Sequence, residues 1–175
     1  MSTLQILDGH NDTLTRIFPP GDDSTTSIVD RDGAGHIDLV RARRGGLAAG
    51  FYAVFIPGGD VERRPIEAND GTSIEAGCSN PVARERARPE SDGVLDRMEA
   101  MLQEHGDAIR LVRTVDELRR CLDDDVMAMI LHYEGVEMLE ERLDDLEADY
   151  DRGLRSLGPV WSRSNAFAHG VPFAF

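Results

Sequence analysis

Three side chains in this sequence have the types and the setting to hold a metal ion: His10, Asp12 and Glu134. The first two close the stretch Leu4-Gln5-Ile6-Leu7-Asp8-Gly9-His10-Asn11-Asp12, a short apolar run that ends in ligand-type residues. In an extended strand alternate side chains share a face, so His10 and Asp12 are expected to project side by side. One imidazole nitrogen and one carboxylate oxygen then reach the same divalent cation without backbone distortion. The same residues also suit a turn in which Asn11 or Asp12 caps a helix starting at Thr13. Glu134 ends a second apolar run and is followed by Gly135. Such a glutamate can bridge two cations, which in paired sites lie roughly 3.5–4 Å apart and activate a shared water. The alternative is a carboxylate favoured by the dipole of a helix that starts after Gly135.

The other histidines carry less. His132 shares a face with Glu134 by alternation and reads as an interior residue with a satisfied hydrogen bond. His36 and His105 fall at a helix start and a helix end, where they read as structural or solvated. His169 lies in a loop beside Asn165, a position from which a side chain can touch substrate. Cys78 and Cys121 are far apart with no C-x-x-C spacing, which excludes a zinc knuckle or a thioredoxin-like motif and leaves reduced thiols.

The elements that must position these groups follow from the pattern of apolar residues. A helical turn is expected over 13–18, stopped by Pro19-Pro20-Gly21, and a loop over 21–35. Residues 36–46 read as a helix closed by glycine, with Asp38 near its start. Residues 47–56 are almost continuously apolar, as a strand buried on both faces would be. The polar stretch from 57 to 92 is expected to be a long loop, of the kind that forms lids. Leu95, Met98, Met101 and Leu102 predict a helix over 94–105. Thr114 and Glu117 form a capping box for a helix over 115–122. A buried strand over 126–134, an acidic amphipathic helix over 136–150 and a fourth strand over 153–161 complete the alternation. Strand–helix alternation implies a parallel sheet with crossover helices, whose carboxyl ends open on one face. Four strands are too few for a (β/α)8 barrel, which takes about 250 residues. With the apolar end Val171-Pro172-Phe173-Ala174-Phe175, the expectation is one incomplete domain over 1–175: the N-terminal half of a TIM-type barrel.

Composition excludes several roles. The 175 residues include 33 acidic and 19 basic ones, for a net charge of −14, and every basic residue is arginine. Such a surface repels nucleic acid phosphates, so no nucleic-acid partner is expected. There is no run of eighteen apolar residues to cross a membrane and no secretory-signal pattern at the N-terminus, so a cytoplasmic protein is expected. Abundant aspartate without lysine suits adaptation to high salt, and a GC-rich genome favours the same composition.

Asp8-Gly9-His10-Asn11-Asp12 resembles the opening motif of the renal (membrane) dipeptidase family, the M19 zinc peptidases. Ile37-Asp38-Leu39 through Gly45-Gly46 to Phe51 and Pro57 is similar to that family's second segment. Tyr133-Glu134-Gly135 resembles its strand end with the bridging glutamate. Gly153-Leu154-Arg155 through Trp161 and Asn165, with Trp-Ser-Arg and Gly-Val-Pro-Phe, resembles the segment after it. The resemblance covers the whole chain in order. It implies a (β/α)8 hydrolase with two zinc ions that cleaves dipeptides by attack of a metal-bound hydroxide. His10 and Asp12 would bind one zinc, and Glu134 would bridge both and be the catalytic carboxylate. The family extends well beyond this length, and its other zinc-binding histidines come from later strands. The chain is therefore expected to need a homo-oligomer or a separate C-terminal half to complete the site. Some members also carry a histidine near the end of the fourth strand, where this sequence has Trp161. Two other readings stand beside this one: an inactive fragment or binding module of the same fold, and an amidohydrolase acting on another amide or lactone. His-Asn-Asp in place of His-x-His disfavours the last.

Overall fold

Strands alternate with helices in the computed structural model, apart from one pair of consecutive helices and one run of three consecutive strands. The structure describes residues 4–22, 26–29, 35–58, 61–67 and 71–170, with backbone alone for 61–67 and 74–79. The elements are β1 (Ile6–Asn11), α1 (Thr13–Ile17), α2 (Leu39–Gly45), β2 (Leu47–Val54), β3 (Val61–Glu67) and β4 (Ser73–Ser79). They continue with α3 (Arg84–Glu104), β5 (Ile109–Leu111), α4 (Val115–Asp123), β6 (Met127–Glu134), α5 (Leu146–Arg152) and β7 (Leu154–Gly158).

β1, β2, β6 and β5 form a sheet in that order, entirely parallel, and β7 also pairs with β6. β2 occupies one edge of β6 along Ala128–Tyr133. β5 and β7 follow one another along the opposite edge, at Met127–Met129 and at Leu131–Glu134. Period-two alternation sorts β6 between two faces. Met129, Leu131 and Tyr133 join Tyr52 and Val54 of β2 in the main core, against Leu14 and Ile17 of α1 and Leu95 and Met98 of α3. Each such side chain, once fully buried, stabilises the fold by about 1.5–3 kcal/mol. On the other face Ala49 and Ala128 pack with Val112, Cys121 and Leu118, so α4 covers the amino-terminal end of that face. His132 and Glu134 continue the same row at its carboxyl end.

Local signals account for the helix boundaries. Asp38 caps α2 by accepting from the Arg41 amide at 2.7 Å, and Gly46 closes it at φ 77°. Thr114 and Glu117 form the reciprocal capping box of α4 that their spacing predicts.

Several expected boundaries are corrected. The long loop expected over 57–92 contains an antiparallel hairpin, β3–β4, and the start of α3. α3 begins at Arg84 rather than near 94, with Pro89 inside it. Ala87 and Ser91 extend its buried stripe toward Val94, Leu95 and Met98, and Arg88 ties this turn to Asp92 and Asp149. The helix expected over 136–150 is confined to α5. Leu143 sits at φ 62°, and the Glu140 amide donates to the Asp145 carboxylate, so the segment before α5 is a series of turns. β5 had no expected counterpart, because three residues are too few to show a period. β7 stops at Gly158, short of Trp161. The apolar end 171–175 lies outside the described residues.

Candidate metal centre

β1 does not run straight into the site. Asp8 pairs with Gly50 and Asn11 with Tyr52, so β1 carries one residue more than β2 over this interval, a β-bulge. The bulge is braced by its own side chains. Asn11 Nδ2 donates to Asp8 Oδ2 at 3.1 Å, the His10 amide donates to Asp8 Oδ1 at 3.3 Å, and the Thr13 amide donates to Asn11 Oδ1 at 3.2 Å. A Cβ at position 50 would lie 3.0 Å from Asn11 Nδ2, so a side chain there would press on the Asn11 brace.

His10 and Asp12 therefore converge, but not by the undistorted alternation expected of them. The bulge redirects His10, and Asp12 has left the strand at φ −94°, ψ 25°. Asp12 stands at the N-cap position of α1, yet its side chain makes no capping bond. Asn11 takes the amide instead, and Asp12 Oδ1 lies 3.4 Å from His10 Nε2. From β6, Glu134 Oε2 lies 3.5 Å from the same nitrogen. One ligand atom from each of the three residues falls within a sphere of contacts no longer than 4.8 Å. The alternative reading of Glu134 as a helix-start carboxylate does not hold, since turns and not a helix follow Gly135.

The site is partly open. Glu134 is 20% exposed, against 39% for His10 and 62% for Asp12. Burial, together with the nearby Asp12 carboxylate, raises the Glu134 pKa above the ordinary carboxylate value, while His10 opposes the rise. Burial first, and then the neighbouring carboxylate, disfavour the Glu134 charge, and a cation would offset both. His132 is half-buried, with Nδ1 2.9 Å from Ser156 Oγ and its ring edge-on to His10, centroids 5.5 Å apart. Burial, and then the proximity of His10, lower its pKa and favour the neutral imidazole. One nitrogen and two carboxylate oxygens form a donor set that suits zinc and other first-row divalent ions. A cavity of about 430 Å³ opens beside Asp12, with Thr13, Arg16, Thr26, Ser27 and His36 in its wall.

The remaining candidates fall elsewhere. His36 lies exposed ahead of α2, and His105 is the C-cap of α3. His169 Nδ1 is 3.0 Å from Ser164 Oγ in the loop after β7. Trp161 stands edge-on to Phe55, centroids 5.4 Å apart. Cys121 is buried with its thiol free, and burial raises its pKa; the Cys78 side chain lies outside the described residues. Reading the sequence missed the buried ion pair between Glu137 and Arg163, whose spacing has no local period.

The family profile described as Membrane dipeptidase (Peptidase family M19) matches residues 1–172. A metallopeptidase from Rhodobacter sphaeroides, solved with a phosphinate mimic of the dipeptide L-Ala-D-Ala, is 34% identical; the match covers 99% of this chain and 50% of that one, with a TM-score of 0.81. The M19 metallopeptidase solved as dipeptidase AC is 33% identical, over 99% of this chain and 48% of that one, with a TM-score of 0.77. An uncharacterized protein in the PQQ-III 3′ region of Acinetobacter calcoaceticus is 28% identical over 173 residues, 98% of this chain and 53% of its own length. The chain thus spans about half the length of these relatives, and the two solved dipeptidase structures have a TIM-barrel-like fold. Among the described residues no helix is long and apolar enough to cross a membrane.

Proposed function

The chain belongs to the membrane dipeptidase family, peptidase family M19, and from that premise we propose that it supplies the N-terminal part of a zinc-dependent dipeptidase centre. His10 and Asp12 would hold one zinc ion, and Glu134 would share its carboxylate between that ion and a second. The observation that carries this reading is the convergence of His10 Nε2, Asp12 Oδ1 and Glu134 Oε2 from two strands.

Zinc held there supplies Lewis acidity and lowers the pKa of a bound water toward neutrality. The chain's own residues do the rest. The Asp8–Asn11 brace keeps His10 and Asp12 in place. His132, bonded to Ser156, stands edge-on to the His10 ring and limits its rotation. The cavity beside Asp12, lined in part by Arg16, Thr26 and Ser27, is where a short peptide would sit. Further ligands come from residues outside this stretch, from a C-terminal half or from a second copy of the chain. The protein acts in the cytoplasm, without nucleic acid or membrane as partner.

The test is zinc content per chain after purification, read with mass in solution and with hydrolysis of an alanyl dipeptide. Near two zincs in a defined assembly, with turnover, is the expected result for a completed site. Failure of the chain to retain zinc, alone or with a C-terminal half, would overturn the proposal.

A further inference from the structure

The Glu137–Arg163 ion pair is almost wholly withdrawn from solvent, with side chains 2% and 1% exposed. Arg163 Nε donates to Glu137 Oε1 at 2.6 Å, and a second guanidinium nitrogen donates to the Ile56 carbonyl. The guanidinium also lies 5.1 Å from the centre of the Phe55 ring. One arginine from the segment after β7 thus joins the end of β2 to the turn that follows β6.

That turn begins beside Glu134. Gly135 adopts φ 82°, and its amide donates to the Gly158 carbonyl at the end of β7, at 3.0 Å. A Cβ on Gly135 would lie 2.5 Å from Glu137 Oε2, so the carboxylate is folded directly over the glycine backbone. Among the described residues Oε2 has no hydrogen-bond partner, and it is held against Gly135 by what Oε1 binds. The residue after Glu134 is gripped on one side by β7 and on the other by the ion pair.

A buried ion pair contributes little net stability compared with apolar side chains of similar volume, because desolvation offsets the attraction. What it supplies is directional geometry. We infer that Glu137 and Arg163 are positioning residues that clamp the Gly135 turn and so aim the Glu134 carboxylate at His10 and Asp12. This rests on the reading of Glu134 as a metal ligand.

The test uses the full chain, Arg163→Lys, and the double variant Glu137→Leu with Arg163→Met. Two readings are made: zinc affinity by isothermal titration with zinc chloride, and hydrogen exchange of the Gly135 amide in metal-free protein. Because apolar replacement preserves packing, the double variant is expected to keep its melting temperature. Its zinc affinity should nevertheless fall about 10–100-fold, the usual range for loss of a group supporting a ligand. Gly135 exchange should accelerate by about tenfold or more as the turn opens locally. Parental affinity together with parental Gly135 protection would overturn the inference. Should the double variant not fold, Arg163→Lys decides in the same way, since lysine cannot hold Glu137 and Ile56 in one planar fork. If the parent chain binds no zinc, the ligand reading of Glu134 falls on its own, and Gly135 exchange alone decides whether the pair clamps the turn.

Discussion

Asn11 Nδ2 donates to Asp8 Oδ2 at 3.1 Å across the bulge from which His10 turns toward Glu134. The bond joins the first and fourth residues of the motif Asp8 to Asp12, whose third and fifth members, His10 and Asp12, face the site. Its first role is therefore geometric.

Breaking that brace should loosen the site without unfolding the chain. Asn11→Ala is expected to lower zinc affinity about 10–100-fold, as for other groups that orient metal ligands. Gly50→Ala sets a methyl 3.0 Å from Asn11 Nδ2 and should act in the same direction. Titration calorimetry on both variants checks this; parental affinity in both would remove the bulge from the account.

Glu134→Gln keeps the shape and removes the charge that a bridging ligand needs. The loss should exceed that of a supporting group, hence more than about 100-fold in zinc affinity. Because burial and Asp12 already disfavour the Glu134 charge in metal-free protein, the variant should fold at least as well as the parent. Zinc bound as tightly as before, with the same circular dichroism, would refute the ligand role.

Away from the site, Arg88 holds the fully buried Asp149 with two bonds of 2.9 and 3.0 Å, fastening α3 to α5. Arg88→Met strands a buried carboxylate and should cost about 3–5 kcal/mol in urea denaturation. Adding Asp149→Leu should recover most of that loss, because no unpaired charge is left behind. If the double variant is as unstable as the single, the damage lies in packing and not in the charge.

The α4 capping box makes a prediction about acid. Thr114→Ala should cost about 1 kcal/mol. The Arg113 amide, and then that of Thr114, donate to the Glu117 carboxylate and hold its pKa below the ordinary 4.5. A depressed folded-state value means the box stabilises fully above pH 4.5 and loses that contribution as the pH falls through the lower folded value. Glu117→Gln should accordingly flatten the acid limb of the stability curve, and a limb of unchanged slope would count against it.

Much of this was legible in the chain. Continuous apolar runs marked β2 and β6, because strands buried on both faces admit no polar alternation. Thr114 and Glu117 marked the start of α4, because a capping box is complete within four residues. Pro89 and Gly93 hid the first turns of α3, whose buried stripe through Ala87 and Ser91 was the signal available. The turns over 136–145 read as helix, since the apolar spacing of Val136 and Leu139 is the same in both. Only the positive φ of Leu143 and the bond from Glu140 to Asp145 separate them.

By itself the sequence determined the parallel α/β alternation and the ligand types His10, Asp12 and Glu134, since both are written in residue identity and short-range spacing. Tertiary structure alone decided how those side chains meet. The bulge opposite Gly50, the approach of Asp12 and His10 to Glu134 and the Glu137–Arg163 clamp each depend on a partner distant in the sequence. Contacts of that kind have no period along the chain. They arise only when β2, β6 and β7 bring their carboxyl ends together, where burial and pairing set the direction of each side chain.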